Sequence, residues 1–482
     1  MSILFFIGKT IKDLVYPFVA FILSSLFRND INWLWFFAGI ALFLMLLLAL
    51  SILTWYRFIY FPEMNSLRVE HGLLVRKKLW ITRESIQSID VSAGVLQRLF
   101  GLVKLQVETA GGKNPEVVLS AITSSEARRI REFLAGAQPH TSNSLSSADV
   151  QETPGGHFPM PVSGIPSGYR DQIQLSIKDL FIFSATSGRI GVVIALFGAA
   201  YSQLDDWLER TFDVWGWITF WLGSARIGSL IVLLLVVAWV LAIIITAVKE
   251  YGFRLTLSED LLIIERGLLE RKQVTVPLNR IQAVHLASNA LRRPFGLVSV
   301  YIISAGYAGK EGQSALLFPL LRKKELESFL SRFTPQFKHV SAWKRLEKRA
   351  LRSYMLLPFA LSALFVIPAI VWIPQSYGYY TLIMPPAALF WSWLRFKETG
   401  WSTDGEQLYI RYGSFVSHQV LIPKQRIQWN LLSQSPIQEG KLLATFQVAL
   451  ASSTAFALFR IRHMPATAGY ELKDWASAGR KK

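Results

Sequence analysis

The segment RIQAVHLASNALRRPFGLVSV, residues 280–300, repeats one met almost two hundred residues earlier, SIQSIDVSAGVLQRLFGLVKL at 85–105, with eight of twenty-one positions identical. Self-similarity of this kind constrains the fold more than any local propensity, because it makes the chain an array of one unit. With Gln87 aligned on Gln282, the turn EHGLL (70–74) falls on ERGLL (265–269) without a gap. A third, weaker copy follows, in which RYGSF (411–415) precedes RIQ (426–428). Gly72, Gly267 and Gly413 therefore each lie fifteen residues before Gln87, Gln282 and Gln428. The third copy has GKLL (440–443) where the others have FGL.

Between the copies lie long apolar runs. A hydrocarbon core about 30 Å thick takes roughly 20 apolar residues to cross as a helix. Residues 31–58, 227–248, 354–373 and 380–394 read as spans, the first flanked by Trp33, Trp35, Trp55 and Tyr56 as interfacial anchors. Shorter runs, Leu14–Phe27 and Ile190–Tyr201, precede the first two, each after the preamble IKDL. They either complete a hairpin or lie re-entrant or interfacial. With the former, the chain has six spans in three hairpins, each feeding one repeat. The chain of 482 residues is 52% hydrophobic and carries a net charge of +18. In a membrane chain that excess is read as orientation and anionic-lipid attraction. The repeat-facing ends are basic, while the connections 28–30, 203–215 and 374–380 are neutral or acidic. The repeats and both termini are therefore expected in the cytoplasm, with an uncleaved first span and no removed signal peptide.

Within a repeat, QVTVPL (273–278) and LVSVYI (297–302) alternate apolar and polar as half-buried strands do. Gly72, Gly267 and Gly413 fall between strand-like runs, where a tight turn takes a positive φ. Each unit ends in a helix-like segment: 124–137 with Ser124 or Ser125 as N-cap and Ile130, Phe133 and Leu134 on one face, then 320–333 with Leu326, Phe329, Leu330 and Phe333, then roughly 467–479. The fold class expected is an α+β membrane protein: three transmembrane helical hairpins, each followed by a cytoplasmic antiparallel β-half-barrel with a C-terminal helix. The boundaries are hairpin 1–57, domain 58–137, a Ser/Pro/Gly-rich flexible linker 138–172, hairpin 173–250, domain 251–336, hairpin 337–396 and domain 397–482.

A membrane hairpin followed by Ile86-Gln87 and Phe100-Gly101-Leu102, and again by Ile281-Gln282 and Phe295-Gly296-Leu297, resembles the bacterial pleckstrin-homology (PH)-like domain of the second type. The third unit keeps Ile427-Gln428 and loses Phe-Gly-Leu, which leaves its sheet in question. Three such units in one chain resemble the YdbT-like membrane proteins. The resemblance implies a multi-pass protein of the bacterial cell membrane, a smaller PH-like membrane protein or a second copy as partner, and a loose link to envelope protection against membrane-active peptides. The fold itself carries no function.

Candidate headgroup- or partner-binding residues recur at matching places: Arg76, Lys77 and Lys78 with Arg271 and Lys272 after the glycine turn, and Arg98 with Arg292 and Arg293 before FGL. A solvated strand face explains them equally well, and the third copy has only His418 there. Anionic lipids of the bilayer are the ligands such a set would take. For Gln87, Gln282 and Gln428, an amide satisfying backbone groups at a strand end is favoured over ligand contact. The basic segment 343–354 reads as a positive-inside anchor, and Pro385-Pro386 as a kink in the last span.

Chemistry has little to stand on. The absence of cysteine removes a thiolate nucleophile and Cys-ligated metal, and the seven histidines show no helical metal spacing. GKT at 8–10 resembles the end of a phosphate-binding loop, but the required glycine is Ile3. Apart from Arg57 at a repeat-facing end, the clear spans hold no charged residue to mark a transport path. The expectation is a non-enzymatic scaffold without cofactor and without nucleic-acid binding, with lipid handling or transport as the alternative.

Overall fold

The computed structural model describes residues 33–63, 66–72, 76–109, 117–135, 169–187, 235–305, 314–340, 342–372, 377–452 and 456–478. The short runs 14–27 and 190–201, the acidic loop 203–215 and linker residues 138–168 lie outside them. The described chain forms two compact units, one of residues 1–169 with 270–277, the other of 170–269 with 278–482.

Every repeat has the same plan of three strands, three more strands and a closing helix. In the first unit, β1 (Ile59–Glu63), β2 (Ser66–His71) and β3 (Lys77–Thr82) form an antiparallel sheet. β4 (Ile86–Ala93), β5 (Leu102–Thr109) and β6 (Val117–Thr123) form a second, and the helix Ser124–Ala135 follows. Alternating Leu67, Val69 and Ile81 from one sheet meet Leu105, Val107 and Leu119 from the other, and the helix adds Ala127, Ile130 and Leu134. The N-cap is Thr123, one residue ahead of the expected serines: its Oγ1 accepts from the Glu126 N–H at 3.3 Å.

Near the start of the second unit lies β7 (Tyr169–Gln174), which takes residues 169–172 of the segment read as linker and 173–174 of the segment read as the second hairpin, followed by the short helix Ile177–Ala185. β7 lies beside β8 (Arg254–Ser258), which pairs with β9 (Leu261–Arg266). The second repeat continues through β10 (Arg271–Pro277), β11 (Ile281–Asn289), β12 (Leu297–Ser304) and β13 (Ser314–Arg322) to the helix Leu326–Phe333. That helix buries Leu326, Phe329, Leu330 and Phe333 as its apolar stripe requires, but residues 320–322 end the strand instead of starting the helix. After the two-residue β14 (Lys344–Arg345) come β15 (Gly400–Thr403), β16 (Gln407–Gly413), β17 (Val416–Pro423), β18 (Ile427–Ser433), β19 (Leu443–Ala451) and β20 (Phe456–Pro465), closed by the helix Ala466–Ser477. The third sheet is thus complete without Phe-Gly-Leu.

The turns explain the repeated motif. Gly72, Gly267 and Gly413 have φ of 118°, 108° and 139°, and a Cβ on Gly413 would lie 2.0 Å from the Val416 carbonyl oxygen. Fourteen residues after each Gln the chain again turns left-handed, with φ 65° at Gly101, 63° at Gly296 and 54° at Leu442. The pairing register slips between Ile86 and Ser88, between Ile281 and Ala283, and between Ile427 and Trp429. Gln87, Gln282 and Gln428 are therefore the extra residues of three equivalent β-bulges, which bend the fourth strand of each repeat. Gln282 Nε2 donates to the Arg280 carbonyl at 3.1 Å, the backbone-satisfying role expected for it.

Among the described residues one helix, Lys348–Trp372, has both the length and the hydropathy of a membrane span. Its Leu356, Leu361, Leu364 and Ile367 are exposed, as lipid-facing residues are, and it contains Pro358 and Pro368. It packs against the helix Met384–Glu398. Pro385-Pro386 do not kink that helix; they occupy its first turn, where a missing N–H costs nothing, after a 3₁₀ segment at Tyr377–Ile383. The helix Trp33–Tyr56 is 24 residues long and carries no charge, with Phe37, Leu42, Met45 and Leu53 exposed. The basic segment 343–354 is not one amphipathic helix: Lys344 and Arg345 pair with Trp401 and Gly400 before the span begins.

Candidate functional site

The sheets do not stop at the repeat boundaries, and this places several of the candidate residues. In the first unit β10, the third strand of the second repeat, pairs with β4, the fourth strand of the first. In the second unit β17, the third strand of the third repeat, pairs with β11, the fourth strand of the second. The registers are equivalent: Lys272 lies opposite Ser92 and His418 opposite Ala287, each pair at the same distance from its repeat's Gln.

A side-chain pair ties each seam. Lys272 Nζ reaches Asp90 Oδ2 at 2.9 Å, with the carboxylate buried. At the same two positions of the next seam, His418 Nδ1 and His285 Nε2 lie 2.9 Å apart, one donating and the other accepting, with Tyr412 stacked on His418. Burial, and then the neighbouring His418, hold the His285 imidazole down to about 3; burial and then Arg293 lower His418. The His418 that replaces the basic pair in the third copy is therefore a seam residue.

The other candidates divide. Arg76 and Lys78 turn back on the buried carboxylate of Glu70, at 2.6 and 3.9 Å. Lys77 and Arg271 are exposed at the starts of β3 and β10, and Arg98 is half-buried in the short helix Val95–Leu99. Arg292 is inside the protein, 5% exposed, where Nε donates to Thr186 Oγ1 at 2.7 Å, Nη1 to Ser299 Oγ at 2.6 Å and Nη2 to the Phe183 carbonyl at 2.9 Å. Burial pushes its guanidinium down to about 10, so it stays charged at neutral pH and anchors the helix Ile177–Ala185. Arg293 spans the second seam, donating to Glu398 Oε1 at 2.9 Å and to the Ser414 carbonyl at 2.8 Å. Arg411 and Ser417 complete the shell around Glu398.

The repeated motifs do not point to a basic cavity in the second unit. A cavity of about 490 Å³ lies where the helices Lys348–Trp372 and Met384–Glu398 meet β16 and β20. Arg395, from the last turn of its helix, and Arg460 and Arg462, at alternate positions of β20, line it together with Tyr354, Trp391 and Tyr412. Guanidinium groups beside aromatic walls at the end of a span suit a phosphate or carboxylate at the membrane surface. The period-two arginines of FRIRH (459–463) were the available sequence signal.

Repeated six-stranded units closed by a helix, carried on long apolar helices, define a membrane protein built from PH-type domains. The Bacterial PH domain model matches the chain three times, over residues 6–138, 216–335 and 358–479, and the chain belongs to that family. It is 35% identical over 471 residues to the UPF0699 transmembrane protein YdbT of Bacillus subtilis (strain 168), a match covering 94% of this chain and 91% of that protein. No solved structure matches.

Proposed function

We propose that this protein is a non-enzymatic membrane scaffold: three cytoplasmic PH-like domains on three transmembrane hairpins, multi-pass in the bacterial cell membrane, with both termini cytoplasmic. The observation that carries the reading is the pair of seams, in which the third strand of one repeat completes the sheet of the repeat before it. Sheets extended in this way serve assembly, since main-chain pairing supplies affinity and side-chain pairs such as Asp90–Lys272 add specificity. The partner proposed is another PH-like chain, a smaller membrane protein or a second copy, and the assembly alters resistance of the envelope to membrane-active agents. Affinity purification of the tagged chain from its native membrane in mild detergent, with mass spectrometry, tests it. A stoichiometric PH-like partner or a homo-oligomer is expected, and a deletion strain should become more susceptible to cationic peptides. A monomer without partner would end the scaffold reading.

A second reading, binding of an anionic lipid headgroup, is favoured by the cavity lined by Arg395, Arg460 and Arg462.

A further inference from the structure

The seam rule leaves two strands unmatched. Both seams join a third strand to a fourth strand, β10 to β4 and β17 to β11. The third strand of the first repeat, β3, and the fourth strand of the last, β18, each end a three-stranded sheet among the described residues. Their surfaces show the difference. Every described side chain of β4 is buried, whereas in β18 only Ile427 is; in β3 only Ile81 is buried, against four residues of β10. Leu431, at the position of Asp90 and His285, is 49% exposed, and Trp80 of β3 is 51% exposed. Exposed apolar edge strands are templates for further pairing.

We propose that β18 of one chain pairs antiparallel with β3 of a second copy, in the register of the two internal seams. That register sets Ser433 opposite Lys77, Leu431 opposite Leu79 and Asn430 opposite Trp80, as Ser92 faces Lys272 in the first seam and Ala287 faces His418 in the second. Charge complementarity on the chain itself selects a second copy as the occupant. At the second seam Arg293, eleven residues after Gln282, binds Glu398, two residues before β15. Eleven residues after Gln428 stands Glu439, and two residues before β1 stands Arg57, both exposed. The pair recurs with its signs reversed, so Glu439 of one chain meets Arg57 of the next. The interface is heterologous, and copies add head to tail until a ring closes or a filament grows. The inference rests on the scaffold reading for the existence of an assembly and adds the surface and the register.

The cysteine-free chain allows a direct test. Two differently tagged full-length forms, one with Lys77→Cys and one with Ser433→Cys, are co-expressed and their membranes oxidised. An interchain disulfide between the two tags is expected. Trp80→Cys paired with Ser433→Cys, displaced by about 10 Å along the strand, should give at least tenfold less. Glu439→Arg, placed on the Ser433→Cys chain, should lower the yield severalfold, and Arg57→Glu on its Lys77→Cys partner should restore it. As a folding control, Ser92→Cys with Lys272→Cys in one chain closes an intrachain disulfide across the first seam. Absence of the interchain product while that control forms would overturn the proposal, and so would capture of Ser433→Cys on a different protein. The latter outcome leaves the scaffold reading standing, whereas a partner-free monomer in the purification would end both.

Discussion

His285 Nε2 lies 2.9 Å from Nδ1 of His418, at the two positions where the preceding seam holds the ion pair of Asp90 and Lys272. The backbone register is the same at both seams, so it does not depend on the chemistry of the pair that crosses it. What changes is the response to protons.

Both histidines titrate below the ordinary value of about 6.5, His285 down to about 3. Between those limits the unfolded chain binds more protons than the folded one, so stability rises with pH across the window and falls on acidification. Melting followed by tryptophan fluorescence in detergent should show a midpoint that drops steadily from pH 7 to pH 4. His285→Leu with His418→Leu should flatten that slope, though not abolish it, because burial lowers His339 and His463 as well. An unchanged slope would remove the pair from the account.

At the first seam, Lys272→Met removes the ammonium that lies 2.9 Å from the buried Asp90 carboxylate. Breaking a buried pair costs about 3–5 kcal/mol, and with Lys272 27% exposed a loss of about 2 kcal/mol is expected. Asp90→Leu together with Lys272→Met should cost less than Lys272→Met alone. Denaturant unfolding of the three forms measures the coupling, and additive losses would show that the pair does not tie the strands.

Arg292 and Arg293 are neighbours in sequence with opposite surroundings. Arg292→Lys removes the fork that reaches Thr186, Ser299 and the Phe183 carbonyl together, and a lysine cannot replace it. A loss of about 3 kcal/mol is expected, with retention of anionic lipid unchanged, since the group is buried. Lower lipid retention at unchanged stability would return Arg292 to the headgroup candidates.

Much of this fold was legible in the sequence because its signals are local. The glycine turns, the period-two strands and the apolar stripe Leu326, Phe329, Leu330 and Phe333 each follow from a few adjacent residues. The span read at 31–58 meets a helix at Trp33–Tyr56. The seams were not legible: β4 and β10 lie far apart in the chain, and nothing local says which sheet edge a strand joins. The basic doublets were ambiguous for a related reason, since charge marks Arg292 and Arg293 alike while burial separates them. The Gln of the motif was read as a strand-end residue, and its place in a β-bulge emerged only from pairing.

Leu442 adopts φ 54° where the other repeats have Gly101 and Gly296. A left-handed conformation costs a residue with a Cβ roughly 1–2 kcal/mol, and Leu442, 64% exposed, gains little packing in return. Leu442→Gly should therefore stabilise the third repeat by about 1 kcal/mol, and Gly296→Ala should destabilise the second by a similar amount. A midpoint lowered by Leu442→Gly would mean that the leucine makes contacts worth more than the strain.

The cavity between the last two membrane-proximal helices and β20 separates the two functional readings. A basic side chain near an anionic surface adds about 1 kcal/mol of attraction. Arg460→Glu with Arg462→Glu removes two such contributions and adds repulsion, so the ratio of anionic to zwitterionic lipid retained in mild detergent should fall severalfold by mass spectrometry. Alanine at Arg76, Lys77, Arg271 and Lys272 together should lower that ratio less, because two of the four, Arg76 and Lys272, are committed to Glu70 and Asp90. If instead the alanine set lowers retention and the glutamates do not, the headgroup surface lies along β3 and β10 and the cavity is structural. If neither does, lipid binding loses its support and assembly through the sheet edges is the reading left.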